Sequence, residues 1–151
     1  MNYIETPLIL EESLYDFWSL GIILEMPCMH DQQDLLNCTE ADMQPINKYR
    51  DETAKLLKIA YEKDPTKRVA WAPACSFHCW NRFGLKDEEE AGAVTVPANS
   101  ENTIGYVAYQ FIFKNISGSY IDNVVWPENQ PCYKMQMSLT NNTCNIKMIM
   151  E

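Results

Sequence analysis

Pro7-Leu8-Ile9-Leu10 is an apolar run without polar alternation, closed by Glu11-Glu12-Ser13. Such a run predicts a short strand covered on both faces, as in a parallel sheet. Residues 67–72, centred on Val69-Ala70-Trp71, predict a second strand. Pro73 stops it, because its missing N–H cannot serve a sheet ladder. Between the two, Met43, Ile46, Arg50, Thr53, Leu56, Leu57 and Ala60 recur at helical spacing. Lys48, Asp51, Glu52, Lys55, Lys58 and Glu62 cover the opposite, solvated face. Asp42 is the expected N-cap, with Pro45 in the first turn and Asp64-Pro65 as the stop. A second amphipathic helix begins at an Asn102 or Thr103 cap and carries Ile104, Val107, Ala108, Phe111 and Ile112. Residues 93–96 read as a third strand ended by Pro97, and everything from Tyr120 onward as a loop-like tail.

The chain has 151 residues, 46% of them hydrophobic, which suits one packed domain of ordinary size. Its net charge of −9 argues against nucleic acid or an anionic membrane as the main partner, since both select Lys/Arg patches. No apolar run approaches the roughly 20 residues that span a bilayer.

The six cysteines are Cys28, Cys38, Cys75, Cys79, Cys132 and Cys144. An even number fits disulfides in several pairings. A Cys28–Cys38 bridge would close one loop locally, and Cys132 with Cys144 would tether the tail over residues 120–151. A zinc site would need more close cysteine pairs or histidines than Cys75/Cys79 and two histidines provide. Asn37-Cys38-Thr39, Asn115-Ile116-Ser117 and Asn141-Asn142-Thr143 are glycosylation acceptors, at Asn37, Asn115 and Asn141. Together these features predict a secreted protein or one in the secretory lumen. Residues 1–6 nevertheless lack the basic and apolar regions of a signal peptide. A secreted protein with such a start reads as mature or as part of a longer chain.

Two positions carry candidate chemistry. Asp16 lies among Leu14, Tyr15, Phe17 and Trp18, where a carboxylate is costly to bury unless something pairs with it. It reads either as a helix N-cap or as an acid that holds a histidine. His78 follows the second strand in Pro73-Ala74-Cys75-Ser76-Phe77-His78-Cys79, a loop that disulfides can hold still. It reads either as a general base or as a polar loop residue between structural cysteines. His30 sits in a polar loop and suggests no role. The order strand, acid, crossover helix, strand, histidine matches the last two members of a Ser…Asp…His triad, each on a loop at the carboxyl end of a parallel strand.

Leu14-Tyr15-Asp16-Phe17-Trp18-Ser19-Leu20, Asp34-Leu35-Leu36-Asn37-Cys38-Thr39 and the Cys75-x-x-His78 segment resemble the pectin acetylesterase family, which includes the Notum-like carboxylesterases. Val94-Thr95-Val96, the helix from Ile104 and Trp126-Pro127…Cys132 follow that family's order as well. The resemblance implies an α/β fold. The 151 residues would be the C-terminal part of a single α/β-hydrolase domain, with parallel strands and crossover helices, incomplete without an upstream sheet. It implies Asp16 as triad acid and His78 as triad base of a secreted serine carboxylesterase. The substrate would be an ester, on an O-acetylated polysaccharide or an acylated protein, with no cofactor and no metal.

Two departures stand out. The family carries Gln where this chain has Ser19. None of the five glycines flanks a serine in G-x-S-x-G spacing, so the nucleophile and the oxyanion-hole loop would come from an upstream portion or a partner chain. Two other readings remain open: a non-catalytic, hydrolase-like glycoprotein module with a structural or interaction role, and an unrelated small disulfide domain.

Overall fold

The strand β2, Arg68–Ala72, is buried at every position, as expected for the middle of a parallel sheet. The structure, a computed structural model, describes residues 5–29, 35–76, 78, 94–98 and 100–129. Within them, β2 lies between β1, Leu8–Glu11, and β3, Ser119–Ile121, with both pairings parallel. Leu8 to Glu11 face Arg68 to Trp71, and Ala70 to Ala72 face Ser119 to Ile121. The parallel α/β arrangement predicted for the first two strands is therefore present. β1 is nevertheless an edge strand among the described residues, and its Ile9 is 37% exposed rather than covered.

The third strand is not where the hydrophobic pattern put it. Val94, Thr95 and Val96 are buried in the core without forming a strand; Val96 N–H donates instead to the Asn102 carbonyl. The strand forms at Ser119–Ile121, at the start of the presumed tail. Three residues are too few to show periodicity, so pairing with β2 decides their conformation.

Helix α1, Glu40–Glu62, joins β1 to β2 and packs on β2 and β3. Its N-cap is Thr39, not Asp42. The Thr39 hydroxyl accepts from the Asp42 N–H, and the Asp42 carboxylate accepts from the Thr39 N–H. A hydroxyl three residues ahead of a carboxylate satisfies two end donors where one side chain satisfies one, so the reciprocal box wins. Pro45 consequently falls in the second turn. It leaves unbonded the carbonyl of Ala41, which is exposed and meets water, so the cost is below the roughly 3 kcal/mol of a buried mid-helix proline. Ile46 anchors the inner face at 0% exposure, whereas Leu56, predicted on that face, is 63% exposed.

Helix α2, Ile104–Lys114, is capped by the Thr103 hydroxyl and ends at Asn115 in the left-handed conformation, φ 56°. Successive side chains of β2 point to opposite faces. On one face Arg68 donates to the Ala60 carbonyl near the end of α1; on the other, Trp71 Nε1 donates to the Asn102 carbonyl just before α2. One helix therefore attaches to each face of the sheet.

A π-helical turn, Ser19–Ile23, and a 3₁₀ turn, Pro27–Met29, follow β1. A Cβ on Gly21 would lie 2.8 Å from the Met29 carbonyl oxygen, so only glycine lets the two turns meet. The Cys28–Cys38 disulfide ties the second turn to the N-terminus of α1. Cys75 is buried and disulfide-bonded; Cys79, Cys132 and Cys144 lie outside the described residues, as do His30 and Asn141.

Candidate active site

The pairing of β1 with β2 continues beyond the sheet. Glu12 N–H donates to the Trp71 carbonyl (3.3 Å), Leu14 N–H to Pro73 (3.0 Å), Tyr15 N–H to Cys75 (3.0 Å) and Phe17 N–H to Ser76 (2.9 Å). Each of these bonds runs from the first segment to the second, so the N–H that Pro73 lacks is not needed. The two chains leave the carboxyl edge of the sheet side by side, which brings Asp16 and His78 together.

His78 Nδ1 lies 3.1 Å from Asp16 Oδ1 and 3.0 Å from Oδ2. The Asp16 side chain is 4% exposed and that of His78 is 38% exposed. Asp16 Oδ1 accepts from the Trp18 N–H (2.9 Å) and its backbone carbonyl from the Leu20 N–H (2.9 Å). The same carboxylate faces the imidazole. Ser19 Oγ donates to Oδ2 at 2.9 Å.

Aromatic rings wall the imidazole. Trp18 stacks on it at 5.4 Å between centroids and 22° between planes, and Phe17 meets it edge-on at 6.0 Å. A carboxylate accepts hydrogen bonds only, so Nδ1 carries the N–H and a neutral His78 presents Nε2 as the basic nitrogen. No described residue hydrogen-bonds Nε2. A neutral imidazole fixed in this tautomer can take a proton from a hydroxyl placed at Nε2, and the buried carboxylate stabilises the cation that forms.

Residues outside the sequence motifs complete the support. Asp122, directly after β3, is 1% exposed. Its N–H donates to the Ala72 carbonyl (2.8 Å), and its Oδ2 accepts from the Ala74 N–H (3.2 Å) and from Asn129 Nδ2. The segment leading to His78 is thus held from both flanks. Arg50, the polar residue that interrupts the α1 stripe, donates from Nη2 to the carbonyls of Asp122 and Val124 (3.0 Å each). Tyr15 Oη donates to Asn47 on α1 (2.8 Å) and accepts from the Trp126 N–H (3.1 Å), and burial pushes its phenol above the ordinary value. Arg50 was visible in the sequence as the polar break in an apolar stripe, but the contacts from Asp122 to Ala74, from Arg50 to Asp122 and from Tyr15 to Trp126 span 48, 72 and 111 positions.

The local electrostatics are acidic. Burial raises the Glu12 carboxyl above its ordinary value, the Asp16 charge raises it further, and the Ser13 N–H and His78 pull it back. Burial and the Glu12 charge likewise raise Glu11. Among the described residues no cluster of His, Cys, Asp and Glu could hold a metal ion, and no helix is long and apolar enough to cross a membrane. Asn37 and Asn115 are both exposed.

No curated protein and no solved structure matches the chain. The family model described as pectinacetylesterase matches residues 1–133. That span takes in both strands that deliver Asp16 and His78, the crossover helix between them and β3, so the chain belongs to the pectinacetylesterase family, a family of carboxylesterase type.

Proposed function

We propose that Asp16 and His78 are the acid and base of a Ser-His-Asp triad in a secreted carboxylic ester hydrolase. The observation that carries this reading is the buried Asp16 carboxylate on His78 Nδ1 at 3.0 Å, at the carboxyl ends of adjacent parallel strands. The chain would be the C-terminal segment of a single α/β-hydrolase domain, with residues 120–151 tethered by disulfides. The nucleophilic serine and the oxyanion hole would come from an upstream portion or a partner chain, since the 151 residues contain no G-x-S-x-G elbow.

His78 Nε2 takes the serine proton as the oxygen attacks the ester carbonyl, then returns it to the departing alkoxide. It next deprotonates the water that cleaves the acyl-enzyme and gives that proton back to serine. Asp16 stays ionised throughout and stabilises the imidazolium. The substrate is an O-acetylated polysaccharide or an acylated protein. Glycans at Asn37, Asn115 and Asn141 suit a secreted setting.

The missing elbow also favours a second reading, a non-catalytic glycoprotein module with a structural or interaction role. Ester turnover by the isolated chain, and by the chain with its serine-bearing portion, tests the first. Turnover only in combination supports it; turnover by the isolated chain that His78→Ala leaves unchanged removes His78 from catalysis.

A further inference from the structure

Trp18 touches both members of the candidate pair. Its backbone N–H donates to Asp16 Oδ1 at 2.9 Å, and its indole lies on the His78 ring with 5.4 Å between centroids and 22° between planes. The backbone around it is held on both sides: Phe17 N–H donates to the Ser76 carbonyl, and the π-helical turn begins at Ser19. The carboxylate alone does not set the plane of the imidazole. Nδ1 stands nearly equidistant from the two Asp16 oxygens, at 3.1 and 3.0 Å, so tilting the ring about its Nδ1–H direction leaves both distances almost unchanged. A flat surface stacked on the ring resists that tilt, and the indole is such a surface. Phe17 meets the imidazole from another side, edge-on at 74°.

We propose that Trp18 is a positioning residue that sets the plane of the His78 ring, and with it the direction in which Nε2 points, by stacking its indole on the imidazole. The same residue steadies the acid through its N–H, so one position in the chain ties acid and base together. A second effect follows from the charge distribution of the indole. Its face carries negative potential and attracts a cation within about 6 Å of the ring centroid. The 5.4 Å separation is inside that reach, so the indole favours the imidazolium formed during proton transfer over the neutral ring. Water competes for that cation, because the His78 side chain is 38% exposed, so the effect is modest. Leucine at position 18 would keep an apolar wall and lose both effects.

The kinetic consequence rests on the esterase reading, whereas the stacking does not. The test therefore has two arms in the intact protein, using Trp18→Leu and Trp18→Phe. Both keep the N–H on Asp16 and change only the side chain, and Trp18→Met replaces Trp18→Leu should the latter not fold. In the first arm, proton NMR follows the carbon-bound protons of the His78 ring, assigned by their loss in His78→Gln. The indole ring current should displace them upfield in the native protein; Trp18→Phe should retain part of the displacement and Trp18→Leu none. In the second, Trp18→Leu should lower kcat for a simple acetate ester about 2- to 30-fold with KM little changed, and Trp18→Phe should recover part of the loss. Unmoved ring protons in folded Trp18→Leu overturn the proposal. Turnover equal to the native rate in Trp18→Leu, a Trp18→Phe variant as slow as Trp18→Leu, or a loss confined to KM overturns it as well. Ring protons displaced as expected in a native protein that turns over no ester support the stacking role and count against the esterase reading instead.

Discussion

His78 Nδ1 sits 3.0 Å from Asp16 Oδ2 across 62 positions of sequence. The contact depends on the backbone bonds from residues 12–17 to residues 71–76, which align the two chains as they leave the sheet. Asp16→Asn tests what the charge does once that alignment is given. An amide would set its NH₂ against either the Trp18 N–H or the Nδ1–H, and it could not stabilise the imidazolium. In the intact protein kcat should fall about 10³- to 10⁴-fold with little change in KM. Steady-state ester kinetics checks this, and a loss below tenfold would show that the acid is not needed.

The acidic rim around this pair makes stability depend on pH. Glu11 and Glu12 hold their protons more tightly folded than unfolded, because their ordinary value of 4.5 is raised by burial first and by neighbouring charge second. A raised folded value means the stability they contribute is complete below about pH 4.5 and is lost as pH rises through the raised values. Asp42 and Asp64 act the other way. The Thr39 and Thr66 hydroxyls lower them from 3.8, so their contribution is present above that value and lost as pH falls. Both are surface groups, and their effect is small. Glu12→Gln should therefore be more stable than the native protein at pH 7, with a flatter loss of stability above about pH 5. Urea unfolding across that range measures both; unchanged pH dependence would show that the folded protein does not raise the Glu12 carboxyl.

Gly21 is the contact point between the π-helical and 3₁₀ turns. Its Cβ in Gly21→Ala would meet a backbone oxygen rather than a movable side chain. The turns would have to separate, at a cost of about 1–3 kcal/mol, the usual range for overpacking. Because Asp16 is hydrogen-bonded to Ser19 and Leu20 of the π-helical turn, ester turnover should fall along with the urea midpoint. A variant as stable as the native protein would contradict the close approach.

Asp122 should behave as a support of the histidine loop. Asp122→Ala removes the side-chain acceptor of the buried Ala74 N–H and one partner of the Asn129 amide. The expected loss is about 1–3 kcal/mol for the Ala74 N–H left unpaired. Hydrogen exchange of the Ala74 amide should accelerate in the variant; unchanged protection at Ala74 would exclude the support.

Much of the frame and both candidate residues were legible because they obey local rules. Long periodic runs marked α1 and α2, unbroken apolar runs marked β1 and β2, and Asp16 and His78 were conspicuous against their neighbours. What escaped was decided at a distance. Ser119–Ile121 becomes a strand because β2 offers it a parallel edge, whereas Val94–Val96, richer in strand-forming residues, finds no partner among the described residues and packs as irregular core. Leu56 fits the helical period but faces solvent. Thr39 took the cap from Asp42 because the two side chains bond reciprocally, a pairing visible in the Thr39-x-x-Asp42 spacing.

The central claim is that His78 activates a serine nucleophile. Its most direct test is the rate at which a fluorophosphonate modifies serine in the intact protein, compared with the His78→Ala variant. If Nε2 is the base, a single serine should be phosphonylated and the variant should slow by about 10³-fold or more. Equal rates in the two proteins, or no modified serine in the native one, would contradict the account.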